Sequence, residues 1–426
     1  MRKIRGLRWY IAIMLMFVTT INYFDRTSLG VVYPTLKEQL HIGEQYYSYI
    51  ILSFQFAYLV MLPLSGRFLD WVGIKLGFSI AVTFWSIAKM LHALARGVFS
   101  FSIVRVLLGV GEAANFPGIA KVASEWFPAK ERTMATGIAN MGAGLGALLA
   151  PPIMIWLVFK VGWQEAFVIT GLIGFFWIVP WILLYKPPEQ NSLITPEELQ
   201  YITEGQKELQ AGGKNAGPQK NVWKLIMGQR NFWGIALARF LSEPAWQFFS
   251  YWIPIYFVTQ RGVNLKQFAL FGWLPFLAAD IGSFAGGVLS PFYQKLGFKV
   301  LTARKLSMTT AALIMPFAVL IIKAPTVGWA LLWFCVAAFG HQCISATLMT
   351  LPADLFPKRT VGTANGLSGS AALAGGMLFT FAVGWLVTHV GYAPVFVTIA
   401  FLDLIGVVLL WTLIREPKTE TPSITV

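Results

Sequence analysis

The amino-acid sequence predicts an all-α integral membrane protein with twelve transmembrane helices arranged in two six-helix bundles. Hydrophobic residues make up 56% of the 426-residue chain and charged residues only 12%, whereas soluble domains contain about 25% charged residues. Apolar segments of roughly 20 residues recur along the chain, and each is long enough to cross about 30 Å of hydrocarbon. Because lipid offers no hydrogen-bond partner to free backbone groups, these spans must be helices.

The predicted spans fall into two groups of six, separated by one polar interval. This division predicts an N-terminal bundle of residues 1–185, a cytoplasmic central loop of residues 186–231 and a C-terminal bundle of residues 232–426. In the central loop, Thr195 followed by Pro196 predicts a helix N-terminus, and the Gly-rich run 211–218 predicts a flexible linker. The predicted spans are 9–33, 46–66, 76–95, 100–126, 133–158, 164–185, 232–258, 267–290, 303–323, 327–350, 361–388 and 393–414.

The two halves of the chain repeat each other at a constant offset. Phe127-Pro128 recurs as Phe356-Pro357, and Gly137 recurs as Gly366, in both cases 229 residues later. Parallel six-helix repeats of this kind predict two bundles related by an axis along the membrane normal. A substrate site is then expected between the halves, near the middle of the bilayer.

Lysine and arginine residues are distributed unevenly between the two sides of the membrane. With twelve spans both termini share one side, which collects 22 of the 33 Lys and Arg residues, whereas the opposite side has six. Positive residues are enriched in cytoplasmic loops. This bias predicts cytoplasmic termini, and it explains the net charge of +14 without nucleic-acid binding.

Few residues are suited to metal binding or to nucleophilic catalysis. Cys335 and Cys343 lie in one apolar segment and are interpreted as core residues, and the four histidines are scattered along the chain. We therefore expect no metal site, no cofactor and no enzymatic activity.

Ionisable residues inside the predicted spans indicate transport of a charged substrate. Asp25 and Arg26 are adjacent in the first span, and Arg105 and Glu112 lie two helical turns apart in the fourth, on one helix face. Such groups are costly in the bilayer and need partners or a function. Counted from the outer helix ends, Arg105 lies about 8 Å deep, Asp25 about 12 Å and Glu112 about 18 Å. The three are therefore expected to converge on one wet cavity.

These charged groups suggest two complementary roles. The arginine fork binds both oxygens of a carboxylate, so Arg26 and Arg105 are candidate anion anchors. Burial favours the neutral form of a carboxyl group, so Asp25 and Glu112 are candidate proton carriers. The alternative is a permanent ion-pair cluster that joins the first and fourth helices.

The loop after the second span carries a family motif. Gly66-Arg-Phe-Leu-Asp70-Trp-Val-Gly73-Ile-Lys75 matches the G-x-x-x-D-x-x-G-x-K pattern between helices 2 and 3 of the major facilitator superfamily. The resemblance implies a cytoplasmic gate in which Asp70, beside basic residues, bridges helices. The alternative is a loop whose glycines supply positive φ for its own turns.

Longer stretches make the resemblance more specific. The segments 22–26 and 105–117 resemble the anion:cation symporters, and the likeness to bacterial hexuronate transporters extends through 1–10, 124–132, 232–237, 243–246 and 363–367. It implies a monomeric inner-membrane transporter that imports glucuronate or galacturonate by proton symport with alternating access. An aldonate or aldarate symporter is the alternative, because aldonate transporters carry an acid at the Asp25 position. An efflux transporter fits the paired arginines less well.

Polar side chains at mid-depth are candidates for binding sugar hydroxyls. Tyr23 and Tyr58 match tyrosines that line the site in the related aldonate transporters, with core packing as the alternative, and Asn140 is expected to supply an amide. The candidates from the C-terminal half are Trp246, Gln247, Tyr251, Ser368 and Ser370.

Other ionisable residues in the spans are weaker candidates for a role in transport. Arg239 and Glu243, four residues apart, are expected to form a local ion pair. His341 replaces Glu112 in the repeat and is either a pH-sensitive gate or a hydrogen-bonded core histidine. Near the end of the third span, Lys89 and His92 are expected to reach the outer rim of the membrane. The solitary acids to which no transport role is assigned are Asp280 and Asp403.

Overall fold

The structure is a computed structural model that describes residues 3–210, 222–263 and 271–416, so the predicted linker at 211–218 lies outside it. The described residues form helices and contain no strand, apart from one isolated bridge between Ile4 and Ile194. The prediction of an all-α protein is therefore confirmed over these residues.

The first half of the chain forms seven helices. They are α1 (Leu7–Leu40), α2 (Glu44–Val72), α3 (Ile74–Leu91), α4 (Val98–Glu112), α5 (Asn115–Trp126), α6 (Arg132–Val161) and α7 (Trp163–Leu184). Two helices of the central region follow, α8 (Pro196–Gln210) and α9 (Val222–Met227). The second half contributes α10 (Arg230–Arg261), α11 (Leu274–Lys295), α12 (Val300–Ala312), α13 (Val327–Leu348), α14 (Leu351–Leu355), α15 (Val361–His389) and α16 (Ala393–Leu413).

Eleven spans in the described part of the chain have the length and apolarity needed to cross a membrane. Helix α10 occupies the position of the remaining predicted span, and its 32 residues would extend about 48 Å. It is less apolar than the others because Arg239 and Glu243 lie in its interior. The structure is consistent with the twelve-helix prediction, whereas the domain boundaries at 185/186 and 231/232 stay predictions.

Proline residues divide three of the predicted spans into two pieces. Helix α4 gives way to α5 at Ala113, four residues before Pro117, and α12 ends at Ala312, four residues before Pro316. A proline lacks the N–H that would bond the carbonyl four residues earlier. At the first break the hydroxyl of Ser65 supplies the missing donor, at 2.9 Å from the Ala113 oxygen. Helix α13 ends in the same way before Pro352.

The two halves pack mainly through two helix pairs, α2 with α15 and α6 with α11. Glycines permit the close approach: a side chain at Gly66 would overlap the carbonyl of Gly362, and one at Gly366 would overlap the Leu62 carbonyl. Because the backbones nearly touch, a larger residue at these positions would force the halves apart.

The two halves are also joined at the end of the bundle that carries residues 3 and 416, the ends of the described part of the chain. We call this end the terminus-bearing face. Asp354 from the second half accepts from Arg132 at 3.1 Å and from Arg304 at 2.9 Å. Arg304 in turn donates to the carbonyl of Ala129 in the first half. All three charged side chains are buried, so this network closes the terminus-bearing face.

Helix α8 packs on the same face and begins as the sequence predicts, with the Glu198 amide donating to the Thr195 hydroxyl at 3.3 Å. The Glu198 carboxylate caps α1 by accepting from the amides of Leu7 and Arg8, and it pairs with the Arg8 guanidinium at 2.9 Å. Burial and the nearby Glu131 carboxylate raise the pKa of Tyr201, so its hydroxyl stays protonated and donates to Glu131.

Candidate functional site

A cavity of about 710 Å³ lies between the two halves, at mid-depth and toward the face opposite the termini. Its wall combines aromatic and charged side chains from both halves. The sequence-predicted residues that line it are Tyr23, Arg26, Tyr58, Arg105, Asn140, Trp246 and Gln247. Further polar residues in the wall are Arg239, Glu243, His341 and Gln342.

Arg26 lies in the cavity wall and is paired with Glu112. Its Nε donates to the Glu112 Oε2 at 2.8 Å, and the Glu112 carboxylate is fully buried behind it. The guanidinium also lies 4.3 Å from the ring centroid of Tyr58 and 4.9 Å from that of Tyr23. These contacts hold the arginine side chain against the wall, with Glu112 between it and the interior of the first half.

Asp25 points away from the cavity, toward α3. Its Oδ1 lies 3.2 Å from the Nζ of Lys89, and both side chains are buried. The prediction that Lys89 and His92 reach the outer rim is therefore wrong. Lys89 turns inward because Asp25 offers it an ion pair, and the buried His92 ring stacks on Phe167 at 5.0 Å.

Arg105 connects the fourth span to the first. Its Nη2 donates to the backbone carbonyl of Arg26 at 3.3 Å, and its guanidinium lies 5.7 Å from the ring of Phe54. It lines the cavity although the side chain is almost wholly buried. Of the three groups expected to converge on one cavity, only Arg105 lines it. Asp25 and Glu112 are buried in the first half, where they pair with Lys89 and Arg26.

The C-terminal half contributes a third arginine to the cavity wall. Arg239 donates to the hydroxyl of Ser368 at 2.9 Å and to the carbonyl of Asn365 at 3.3 Å. Among the described residues it makes no ion pair with Glu243, so the expected local pair is wrong. Glu243 accepts instead from Gln247 at 3.3 Å, because Ser368 and Asn365 on α15 already hold the guanidinium.

His341 is hydrogen-bonded, as expected for a core histidine, which is one of its two predicted roles. Its Nδ1 lies 3.2 Å from the Asp403 carboxylate, so neither residue is solitary, and its ring stacks on Trp246 with centroids 6.3 Å apart. The ring lines the cavity. The contact gives Trp246 a fixed orientation at the cavity wall.

The predicted amide and hydroxyl ligands Asn140, Ser368 and Ser370 each have a different hydrogen-bond partner. The Asn140 amide donates across the interface to Ser283 at 3.2 Å and to Gln342 at 3.3 Å. Ser368 supports Arg239, and the Ser370 hydroxyl donates to a backbone carbonyl of α2 at 2.9 Å. Neither serine is part of the described cavity wall. The side chain of Tyr251 lies outside the described part of the structure.

Asp70 lies at the end of α2 on the terminus-bearing face and contacts the opposite half. It accepts from the amide and the hydroxyl of Thr363, each at 2.7 Å, and pairs with Lys121 at 2.8 Å. Gly73 adopts a φ of 90°, as the turn interpretation expects, whereas Gly66 serves the close approach to α15. The basic partner is therefore Lys121, which the motif containing Lys75 does not reveal.

Comparisons with known proteins agree with this architecture. The family model of the Major Facilitator Superfamily matches residues 15–303 and 288–425. The chain is 39% identical over 424 residues to the hexuronate transporter of Escherichia coli strain K12, covering 99% of this chain and 97% of that protein. It is also 39% identical over 356 residues to the galacturonate transporter of Dickeya chrysanthemi, covering 83% and 99%.

A solved structure shares the fold at low sequence identity. The proton:xylose symporter XylE, bound to 6-bromo-6-deoxy-D-glucose, superposes with a TM-score of 0.74 at 16% identity, covering 98% of each chain. The likeness supports the twelve-helix architecture and carries no information on substrate.

Proposed function

The chain belongs to the Major Facilitator Superfamily, and from that premise we propose that it imports hexuronates, such as glucuronate and galacturonate, by proton symport with alternating access. The observation that carries the proposal is Arg26, a cavity-lining guanidinium whose counter-ion is the fully buried Glu112. The names of the two 39%-identical relatives support the choice of hexuronates within the sugar acids.

The substrate carboxylate is bound by the arginines of the first half. Arg26 and Arg105 line one region of the cavity, and a guanidinium binds both oxygens of a carboxylate in a planar fork. Tyr23 and Tyr58 flank Arg26 and supply hydroxyls, while Asn140, Trp246 and Gln247 provide partners for the sugar. Ser368 acts by holding Arg239, and Ser370 by joining α15 to α2.

Proton coupling follows because Glu112 and the substrate carboxylate compete to pair with Arg26. Ionised Glu112 pairs with the Arg26 guanidinium, whereas protonated Glu112 releases it to bind the substrate carboxylate. Protonation of Asp25, the second proposed proton carrier, breaks its ion pair with Lys89 away from the cavity. An anion moving toward a negative interior costs about 2.3 kcal/mol per 100 mV. One accompanying proton makes the step electroneutral, and a second lets the voltage drive it.

The terminus-bearing face is the cytoplasmic side in this proposal, in agreement with its excess of positive residues. The contacts of Asp70 with Thr363 and of Arg132 with Asp354 then form the cytoplasmic gate, supported by Gly66, Gly73 and Lys75 in the loop motif. In this proposal the protein is a monomer of the bacterial inner membrane that is closed on its cytoplasmic side.

Uptake by purified protein in lipid vesicles tests the proposal. Radiolabelled glucuronate should accumulate when the outside is acidic, and a proton uncoupler should abolish the accumulation. Uptake of galacturonate, galactonate and glucarate is then compared with that of glucuronate, which ranks hexuronates against the alternative substrates. Equal uptake with and without the pH gradient, or preference for an uncharged sugar, would contradict the proposal.

A further inference from the structure

Asp280 lies in the seam between the two halves, where α11 packs against α6. Along this seam Gly137 packs against the backbone of Ser283, and Gly144 packs against the carboxyl group of Asp280. A side chain at position 144 would occupy the place of the two carboxyl oxygens. The two halves can pack closely here because Gly144 has no side chain and leaves room for the carboxyl group of Asp280.

The seam contact is buried and adjoins the cavity. Asp280 is only 7% exposed. About one helical turn away, Phe276 on α11 and Ala147 and Leu148 on α6 line the cavity wall. A proton can therefore reach the carboxyl group from the cavity while the rest of the seam is closed.

The cations near the other end of these helices have partners of their own. On α6 Arg132 binds Asp354, and on α12 Arg304 binds the same carboxylate while Lys305 donates to the carbonyl of Ile414. Arg132 also lies 12 residues from Gly144, about 18 Å along α6. None of these groups neutralises Asp280.

The remaining ionisable groups on the packed helices do not offer Asp280 a cation either. Lys160 lies near the far end of α6, about 24 Å from Gly144. On α13 His341 is bonded to Asp403, and the two cysteines of this helix are free thiols, which carry no positive charge. Within the described part of the chain, the contact of Asp280 is with the Gly144 backbone and not with a cation.

We propose that Asp280 is a proton-binding residue of the transport cycle, neutral while the seam between α6 and α11 is closed and ionised when the seam opens to water. An ionised carboxylate without a cation is costly in such a site, so closure requires a proton. The inference rests on the proposed alternating-access function. It adds a titrating group in the C-terminal half to those proposed in the first half.

Cysteine labelling at the seam tests this inference without substrate. The probe is Met134→Cys, at a position that packs against Gly287, in the full-length protein with Cys335→Ser and Cys343→Ser. Inside-out vesicles are labelled with a membrane-impermeant maleimide across the pH range, and rates are normalised to Lys130→Cys on the exposed loop. Release of one proton on opening should raise the normalised rate by up to about tenfold per pH unit.

Two substitutions separate Asp280 from other acids. Asp280→Asn should give slow labelling that no longer depends on pH, whereas Asp403→Asn should retain the dependence. If Asp280→Asn fails to fold, Gly144→Ala displaces the carboxyl group and should give fast labelling at every pH. A pH profile that persists in Asp280→Asn, or a wild-type profile that is flat, overturns the inference. A protein that shows this profile but takes up no hexuronate overturns only the proposed function.

Discussion

The Asp70 carboxylate accepts two hydrogen bonds from Thr363, one from the backbone amide and one from the hydroxyl, each 2.7 Å long. The residues lie 293 positions apart, on helices of opposite halves. Because Thr363 is in the first turn of α15, Asp70 also interacts favourably with the positive end of that helix dipole. The contact therefore stabilises closure of the terminus-bearing face.

Asp70→Ala should shift the protein away from this closed arrangement. Hydrogen bonds to a charged group contribute about 1.5–3 kcal/mol, so losing one such bond shifts the equilibrium by about tenfold or more. A cysteine at the cavity-lining position Met349 should then react faster with a maleimide added from the cytoplasmic side.

Lys121→Met is the matched control for Asp70→Ala. It removes the ion pair at 2.8 Å but leaves the bonds from Thr363 in place, so the labelling rate should rise less than in Asp70→Ala. Equal labelling of wild type and Asp70→Ala would show that the contact does not hold the gate.

Arg105→Lys should impair hexuronate uptake even though it preserves the charge. Lysine loses the planar fork that binds both carboxylate oxygens, and it loses the bond that Arg105 Nη2 donates to the Arg26 carbonyl. We expect KM to rise by about tenfold, which corresponds to about 1.4 kcal/mol. Near-normal uptake by Arg105→Lys at low substrate would contradict a two-pronged carboxylate contact.

Glu198 provides a prediction about stability that is separate from transport. Its carboxylate caps α1 and pairs with Arg8, so Glu198→Ala should lower the free energy of unfolding by about 1–3 kcal/mol. Thermal unfolding in detergent measures the effect. Glu204→Ala on the same helix removes an exposed acid and should leave the midpoint unchanged, and equal midpoints for both variants would contradict the capping role.

The sequence predicts the helical architecture well because membrane spans are set by length and apolarity alone. The breaks at Pro117 and Pro316 are local effects that could have been predicted from the missing N–H groups. Contacts between residues that are distant in the sequence are harder to predict. The position of Lys89 near a predicted helix end favours a side chain that reaches the membrane rim, and only its contact with Asp25 on α1 shows that it turns inward.

In the second half, too, the sequence does not predict a contact between distant helices. The spacing of Arg239 and Glu243 favours a local pair, but the guanidinium is held by Ser368 and Asn365 on another helix. The i,i+4 rule describes an isolated helix, whereas here α15 supplies oxygen acceptors at shorter range. His341 shows the reverse case, since a bonded core histidine is one of its predicted alternatives.

Lys89→Met should destabilise the protein more than its position near a helix end suggests. Removing one member of a buried ion pair leaves the other without compensation, at a cost of about 3–5 kcal/mol. Asp25 would be the uncompensated group. The double variant with Lys89→Met and Asp25→Asn should recover most of this loss in thermal unfolding. If the double variant is no more stable than Lys89→Met alone, the two residues are not coupled.

The roles of the two proposed proton carriers can be distinguished from those of the anion anchors by comparing substrate exchange with substrate accumulation. Glu112→Gln mimics a permanently protonated carboxyl group and releases Arg26 from its ion pair. The variant should therefore bind hexuronate and exchange it across the membrane in a counterflow assay. It should fail to concentrate the substrate when a pH gradient is imposed, because the proton that normally accompanies the anion is no longer exchanged.

Asp25→Asn is expected to behave in the same way, once its effect on stability is removed by pairing it with Lys89→Met. Counterflow should survive in at least one of the two carboxyl variants, while accumulation driven by the pH gradient is lost. The wild-type accumulation ratio under the same gradient is the reference. If both variants reach that ratio, neither Asp25 nor Glu112 carries the coupling proton, and the titrating group must be sought in the C-terminal half at Asp280 or His341.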